Sequence, residues 1–309
     1  PPLHTRVRRI IMGAVNQRAI ARMEPNVTRL VDALLEEMAA KREVNFIDEF
    51  AARIPIEVIG NLLCIPHEER GPLRGWSVAI LSGLEPKLTP GMFAAGNRAV
   101  TEFIDYLKGL VAARRKNPGD DETDVLTRLI RGEEDGASLT EKELYHQCIF
   151  LLNAGHETTT NLIGNGVWAL LERPRELARL RADPSLVPSA IEEMLRYDGP
   201  IQLNNRRLTA PLALSGATLA AGTLITIGIG AANHDPAQFP EPERFDVGRK
   251  PNRHLAFGQG EHVCVGMNVA RMEGRIALAR LIARFKRIEL AGTPERDRRV
   301  RFRGFRKLP

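Results

Sequence analysis

Cysteine is rare in this sequence. Its 309 residues contain only three, Cys64, Cys148 and Cys264, and no two of them form a CxxC pair. An odd number without paired spacing argues against a disulfide framework and against a structural zinc site. It favours a reducing compartment, for which the cytoplasm is the default expectation.

Long apolar runs and an acidic excess are also missing. No stretch reaches the roughly 18 uninterrupted apolar residues of a membrane helix, so no membrane span is predicted. The net charge is +6, and the basic residues are scattered among 38 acids. The densest basic cluster, RDRRVRFRGFRK at 296–307, alternates arginine with apolar residues as an edge strand does. The pattern favours a basic surface that docks an acidic protein over nucleic-acid binding.

The order of the patterns predicts one domain, 1–309, that is mainly α with a smaller β subdomain. Residues 1–199 carry apolar positions at helical spacing, as in VTRLVDALLEEMAAK. Thr140 and Glu143 have the spacing of a capping box and predict the start of an over-long helix, which ends before Pro174. Residues 200–309 contain short β-prone runs, a cysteine-bearing loop and a final amphipathic helix.

The stretch AFGQGEHVCVG, residues 256–266, places one cysteine just before that last helix. A thiolate there is stabilised by unpaired backbone N–H groups and the helix dipole, and can act as ligand or nucleophile. Gly258, Gly260 and Gly266 remove side chains around it, which suits a large flat partner. The alternative is a buried cysteine in a glycine turn.

The stretch AGHETT, residues 154–159, lies inside the over-long helix. Gly155 and the threonines weaken a helix locally and can open a notch, where Glu157 and Thr158 supply an acid beside a hydroxyl. The alternative is a helix kink with a solvated glutamate. HETTT begins like the zinc motif HExxH, but position 160 is threonine, so the second ligand is missing.

Two charged patterns add to these. Glu193 and Arg196, in EEMLR, are three apart on a helix and could form an ordinary surface ion pair. His4 and Arg8 are four apart on one helical face, where both could reach one anion. Ordinary surface basic residues are the alternative for this second pair.

These motifs together resemble the cytochrome P-450 superfamily, in particular its soluble bacterial type. FGQGEHVCVG has the residues of the family's haem signature, namely Phe257, Gly258, Gly260, His262, Cys264 and Gly266. The resemblance implies that Cys264 is the metal ligand of haem b. It assigns proton delivery to Glu157 and a hydrogen bond at the oxygen site to Thr158, with Ala154 and Gly155 against the cofactor.

The resemblance also implies roles for distant residues. An arginine of the PERF loop, Arg244 here, would complete a buried triad with Glu193 and Arg196 that shapes the cysteine loop. The propionate partners would be His4, Arg8, His262 and Arg206, although Arg207 fits almost as well. The residues expected to face the substrate are Phe150, Ala154, Ile201, Leu203, Asn204 and Phe305.

The implied activity is insertion of one oxygen atom from O2 into a small, mostly apolar molecule by a monomer. The sequence has no GxGxxG fingerprint and no iron–sulfur cysteine set, so electrons from NAD(P)H are expected through a separate ferredoxin or flavodoxin and its reductase. One rival is a non-catalytic haem-binding fragment or pseudoenzyme. Another is a hydrolase with Cys264 as nucleophile, which lacks a clear histidine partner beyond His262.

In the family, further elements precede the helix that carries the histidine and arginine, including a loop over the substrate pocket. The sequence starts at Pro1, close to that helix. We therefore expect a fragment or truncated product of the P-450 fold, lacking the N-terminal part. We expect it to bind haem weakly or to leave one haem edge open to water.

Overall fold

The computed structural model of the protein describes residues 2–120, 124–131 and 139–309, most of them helical. Its helices are α1 (Pro2–Ala14), α2 (Gln17–Ala39), α3 (Arg53–Leu62), α4 (Leu73–Ser82), α5 (Pro90–Lys116), α6 (Val125–Arg131), α7 (Glu141–Leu171), α8 (Pro174–Ala182), α9 (Val187–Tyr197), α10 (Ile229–Ala232) and α11 (Met267–Arg284). Its strands are β1 (Leu203–Arg207), β2 (Leu212–Leu214), β3 (Ala217–Leu219), β4 (Leu224–Gly228), β5 (Glu295–Arg296) and β6 (Phe305–Lys307). The prediction of a mainly α fold with a smaller β part is confirmed.

The central element is α7, whose 31 residues make it the longest helix described. It begins with the predicted capping box, in which the Glu143 amide donates to Thr140 Oγ1 (3.2 Å) and the Thr140 amide donates to Glu143 Oε2 (2.9 Å). It ends at Leu171, just before Pro174 opens the next helix. More than half of its residues are buried, as expected of a helix in the middle of a domain.

The hydrophobic core lies on both flanks of α7. A large cluster that includes Phe50 and Phe103 packs it against α3, α2 and α5. A smaller cluster that includes Ile191 and Leu278 packs its C-terminal half against α9 and α11. Because α11 begins directly after the cysteine loop, this second cluster fixes that loop relative to α7.

The strands form three small antiparallel sheets, β1 with β4, β2 with β3, and β5 with β6. Ser215 (φ 49°) and Gly216 (φ 82°) turn the chain between β2 and β3, the backbone that a two-residue hairpin requires. An isolated antiparallel bridge joins Ile201 to Phe302. This bridge ties the start of the β region to residues near the C-terminal end.

Two ion pairs align α2 with α11 along the surface. Asp32 accepts hydrogen bonds from Arg280 Nε (2.6 Å) and Arg280 Nη2 (2.7 Å). One turn further along both helices, Glu36 accepts Arg284 Nε (2.8 Å) and Arg284 Nη2 (3.2 Å). Within the described ranges, no helix is both long enough and apolar enough to cross a membrane.

Candidate functional site

The cysteine loop is a flat, glycine-lined surface. Cys264 is exposed and is not disulfide-bonded, and its amide donates to the Phe257 carbonyl (2.8 Å), which closes the loop behind it. Gly258 (φ 69°) and Gly260 (φ 76°) adopt left-handed backbone conformations that favour glycine. A Cβ added at Gly260 or Gly266 would meet nothing within 4 Å. The loop therefore leaves space for a broad partner beside the sulfur.

The groups around Cys264 shift the pKa of its thiol in opposite directions. Desolvation raises the pKa of the thiol, while the Gly266 N–H and the charges of Arg8 and Arg271 act to lower it. The net direction is upward, so the helix terminus does not by itself produce the thiolate that the sequence suggested. A bound metal cation would deprotonate the thiol outright.

Two basic side chains of α1, His4 and Arg8, contact the cysteine loop. Arg8 Nη2 donates to the Val263 carbonyl (2.7 Å), and the His4 ring lies 4.2 Å from the His262 ring, centroid to centroid. Desolvation, followed by His262 and Arg8, lowers the pKa of His4. Such crowded basic groups suit an anionic ligand, as the carboxylates of a haem would be.

Arg206 and Arg207 point to opposite sides of β1, as successive strand residues do. Arg206 Nη1 donates to its neighbour's carbonyl at Asn205 (2.8 Å), and Arg207 Nη1 donates to the Gly222 carbonyl (2.9 Å). No described contact joins either arginine to His4, Arg8 or His262. Arg206 as a propionate partner therefore stays a prediction.

One face of α7 is open although most of the helix is buried. Phe150 is 51% exposed, Ala154 is exposed and Thr158 is half-buried, each one turn from the next. Thr158 Oγ1 donates to the Ala154 carbonyl (2.7 Å), the competing hydroxyl bond expected of this stretch. The helix is nevertheless continuous here, so the motif produces an open strip and not a break.

Gly155 lies where α3 approaches α7 closely. A Cβ at this position would lie 2.4 Å from Ile59 Cδ1 of α3. The glycine is therefore required by the close approach of α3 to α7. The predicted contact of Gly155 with a cofactor stays a prediction.

Glu157 is buried, at 5% exposure, which rules out a solvated glutamate. Its Oε1 accepts Arg299 Nη2 in an ion pair and Asn161 Nδ2 at 3.4 Å. Arg299 also donates from Nε to Asp297 Oδ2 (2.6 Å). Glu157 thus turns inward to Arg299, a partner that no local sequence pattern indicated, and away from the open strip that carries Thr158.

The Glu193–Arg196 pair is fully buried, which excludes the alternative of a surface ion pair. Arg196 Nε and Nη2 donate to the two carboxylate oxygens at 2.8 and 2.9 Å. The prediction that Arg244 completes the triad is wrong: its side chain is exposed and pairs with Glu241 (3.1 Å). Its carbonyl faces inward instead and accepts Arg196 Nη2 (3.1 Å).

Arg249 is the third member of the triad. Its Nε donates to Glu193 Oε1 (3.2 Å), and its Nη2 donates to the Arg244 carbonyl (2.7 Å). Asn252 Nδ2 and the Asp246 amide also donate to the Glu193 carboxylate, at 3.2 and 2.9 Å. The stretch ERFDVGR contains two arginines five residues apart, and spacing alone cannot choose between them.

Glu192, the neighbour of the triad glutamate, supports the cysteine loop from a second side, a role that sequence reasoning missed. It accepts Arg271 Nε (2.8 Å) and Nη2 (2.7 Å) and contacts His254 Nε2 (3.1 Å). Desolvation opposes it, but these hydrogen bonds lower the pKa of Glu192 to about 2. Arg271 in turn lies 4.7 Å above the centre of the Phe257 ring. The adjacent acids of EEMLR were the available signal.

The predicted substrate-facing residues do not form one group. Phe305 is 5% exposed and packs between Trp168 (5.5 Å between ring centres) and Arg296 (Cζ 3.7 Å from the ring centre), so that prediction is wrong. Leu203 and Asn204 are half-buried and successive on β1, so they point to opposite sides. Ile201 is half-buried too. Phe150 and Ala154 are the exposed members of the set.

His156 is fully buried, and neither of its ring nitrogens has a hydrogen-bond partner among the described residues. Desolvation lowers the pKa of His156 to about 4; Glu157 opposes the shift, and Arg74 and Arg299 add to it. A histidine with a lowered pKa binds fewer protons in the folded than in the unfolded protein. It therefore costs stability as the pH falls from about 6.5 to about 4.

We expect His156→Leu to weaken this pH dependence. The unmodified protein should lose stability on the order of 2 kcal/mol through His156 between pH 7 and pH 4.5, and the variant should keep that amount. Urea unfolding at the two pH values measures the difference. His146→Leu, at an exposed position of the same helix, is the matched control and should follow the unmodified protein. Equal pH dependence in all three proteins would contradict the assignment.

The residues around Cys264 fit a haem. They provide a soft sulfur ligand, a surface where glycines leave room for a flat ring, and basic groups for its carboxylates. In the part of the chain that the structure describes, no group of three or more His, Cys, Asp or Glu could hold a metal ion. A porphyrin supplies the other ligands of its iron itself, so one cysteine is enough.

Comparisons with known proteins identify one family. The sequence model of the family described as Cytochrome P450 matches residues 84–305. Cytochrome P450 107B1 of Saccharopolyspora erythraea is 42% identical, over 100% of this chain and 75% of that protein. The same organism's 6-deoxyerythronolide B hydroxylase is 38% identical, over 94% of this chain and 70% of that protein.

A solved structure gives the same result for the fold. The crystal structure of the myxobacterial cytochrome P450 CYP267B1, in complex with myristic acid, has a TM-score of 0.92 and 39% identity to this chain. It covers 100% of this chain, which spans 76% of the solved one. The chain belongs to the cytochrome P450 family and is a haem-dependent monooxygenase.

Proposed function

We propose that the protein, as a monomer, inserts one oxygen atom from O2 into a C–H bond of a small, mostly apolar substrate. Electrons come from NAD(P)H through a separate ferredoxin or flavodoxin and its reductase. The observation that carries this proposal is the exposed Cys264 on a glycine-lined surface beside His4, Arg8 and His262. The haem, when bound, supplies the activation of O2.

The chain's own residues divide the remaining work. Cys264 would hold the iron, and the pair formed by Glu193 and Arg196 holds residues 242–252, which precede the loop that carries the cysteine. His4, Arg8 and His262 bind the haem carboxylates, with Arg206 as a further partner. Thr158 Oγ1 exchanges its bond to the Ala154 carbonyl for a hydrogen bond to a ligand above the open strip of α7. Glu157 delivers protons there when it leaves Arg299.

The substrate class follows from the open strip and from the relatives. Phe150 and Ala154 present apolar surface, and Asn204 offers one polar group near the start of the β region. One relative is a hydroxylase by name, and the solved structure cited above contains myristic acid. The first supports hydroxylation as the reaction, and the second supports an apolar substrate with few polar groups.

A direct test follows the oxygen atom. The protein reconstituted with haem is supplied with ferredoxin, ferredoxin reductase, NADPH and ¹⁸O2, and is screened against medium-chain fatty acids and macrolactones. Mass spectrometry should find one ¹⁸O atom in the product. Oxygen derived from water, or NADPH oxidation that no compound stimulates, would contradict the proposal.

Thr158→Ala tests the hydroxyl on the open strip. We expect the variant to keep the haem spectrum and to lose about tenfold in product formed per NADPH, with hydrogen peroxide rising to match, because proton transfer by a positioned group contributes at least that much. The control is Thr160→Ala, whose hydroxyl makes the same kind of bond, to the His156 carbonyl (3.0 Å), but is buried. Unchanged coupling in the Thr158 variant would refute the role of its hydroxyl.

The rival functions have less support. The relatives do not favour a non-catalytic haem-binding fragment. A cysteine hydrolase would need a base at Cys264, and in the described part of the chain no hydrogen bond joins Cys264 to His262. A colourless protein that hydrolyses esters would favour that rival.

A further inference from the structure

The connection between α4 and α5, residues 83–89, is held by one buried carboxylate. Glu85 is 6% exposed, whereas Leu84 and Leu88 of the same connection are 53% and 45% exposed. Glu85 Oε2 accepts the amides of Val300 (2.8 Å) and Arg301 (2.9 Å). Its Oε1 accepts the amide of Phe302 at 3.2 Å. Three backbone N–H groups thus converge on one charge, an arrangement stronger than neutral hydrogen bonds.

The segment that Glu85 holds, residues 300–302, is joined to the start of the β region. The Gln202 amide donates to the Arg301 carbonyl (2.9 Å), and the Arg303 amide donates to the Pro200 carbonyl (2.8 Å). Ile201 and Phe302 form a bridge between these bonds. The segment cannot move without disturbing the backbone beside Ile201, one of the residues expected to face the substrate.

Arg299 comes directly before this segment and holds Glu157. Both side chains of that ion pair are 7% exposed, so water screens their attraction little. The other groups facing Glu157 are Asn161, at 3.4 Å, and His156, whose Nδ1 lies 3.9 Å from Oε2. Neither of them is a fixed positive charge. Arg299 is therefore the group that keeps the Glu157 carboxylate turned inward.

These contacts form one continuous chain from the α4–α5 connection to the acid of α7. We propose that Glu85 and Arg299 are positioning residues through which this connection sets the hydrogen bonding of Glu157. When a ligand displaces the connection, the Glu85 bonds to residues 300–302 weaken, Arg299 shifts with that segment, and Glu157 gains freedom to turn. This inference rests on the proposed role of Glu157 in proton delivery.

A merely structural clamp would make a different prediction. Loss of the Glu85 charge would then loosen residues 300–302 and lower stability, with no change in how Glu157 works. Under our proposal the same change also weakens the pair formed by Arg299 and Glu157. A carboxylate that loses its cationic partner is protonated at higher pH.

The test compares Glu85→Gln with Glu102→Gln in the haem-loaded protein. Glu102 accepts one N–H bond, from Trp76 Nε1 (2.9 Å), at an exposed position, and serves as the control. Hydrogen exchange should become about tenfold faster at the amides of 300–302 in Glu85→Gln only. The pH profile of product formed per NADPH should move to higher pH in the same variant.

A double variant tests whether the effect of Glu85 on Glu157 passes through Arg299. In an Arg299→Gln background, adding Glu85→Gln should still speed amide exchange but should not move the pH profile further. If Glu85→Gln speeds exchange and leaves the profile unchanged, the clamp is only structural and this inference fails. If Glu157→Gln itself leaves coupling unchanged, the proposed proton delivery fails instead. Should Glu85→Gln not fold, Glu85→Asp, which keeps the charge and shortens the reach, is measured by the same two readouts and must move both in the same direction.

Discussion

Replacing Cys264 with serine lowers monooxygenase turnover by more than about 100-fold. Loss of a residue that only supports a metal ligand typically costs up to that factor, so loss of the ligand itself should cost more. We expect this because a serine oxygen is a harder and weaker ligand for haem iron than a thiolate sulfur. The basic groups His4, Arg8 and His262 remain in the variant. It should therefore still bind haem, but without sulfur at the iron.

The measurement is the absorption spectrum of the reduced, carbon-monoxide-bound protein together with turnover. The unmodified protein should show the red-shifted Soret band of thiolate ligation, and Cys264→Ser should lack it. Cys64→Ser is the control, because Cys64 is a partly exposed cysteine whose Sγ lies 3.5 Å from the Asn61 carbonyl, far along the chain from the cysteine loop. A red-shifted band that survives in Cys264→Ser would overturn the assignment of the metal ligand.

Replacing Glu193 with glutamine lowers the free energy of unfolding by about 3–5 kcal/mol, the usual cost of breaking a buried ion pair from one side. The substitution changes the volume little but leaves the charge of Arg196, which is 1% exposed, and of Arg249 without its counter-ion. The Asp246 amide and the Asn252 side chain, which donate hydrogen bonds to Glu193, also lose a charged partner. Urea unfolding of the haem-free protein measures the loss apart from cofactor binding.

The two arginines of ERFDVGR provide a matched pair for the same measurement. Arg249→Gln should cost well over 1 kcal/mol, because it removes a guanidinium from the Glu193 carboxylate and from three main-chain carbonyls. Arg244→Gln removes only an exposed partner of Glu241 and should stay within about 0.5 kcal/mol. Equal losses in the two variants would restore Arg244 as the third member of the triad.

The sequence predicts those features of the fold that depend on neighbouring residues. The capping box of Thr140 and Glu143 marks the start of α7 because both of its bonds form within four residues. The glycines around Cys264 likewise act on their own backbone. His4 and Arg8 were placed together because a helix brings residues four apart onto one face.

The features that sequence analysis missed depend on contacts between distant residues. The partner of Glu157 is 142 residues away, and the amides that Glu85 holds are at least 215 residues away. No period or spacing links such positions. The error at Phe305 has the same origin, since the burial of this side chain is set by Trp168 on α7 and by Arg296.

The paired bonds of Arg280 to Asp32 and of Arg284 to Glu36 give α11 a discrete position along its own axis. If α11 slid by one turn, about 5.4 Å, only one of the two pairs could form again. Intermediate positions would satisfy neither. Exposed pairs add little stability, but these two fix the position of α11 along its axis. Because Cys264 lies just before the first turn of α11, they also fix where its sulfur can meet a metal.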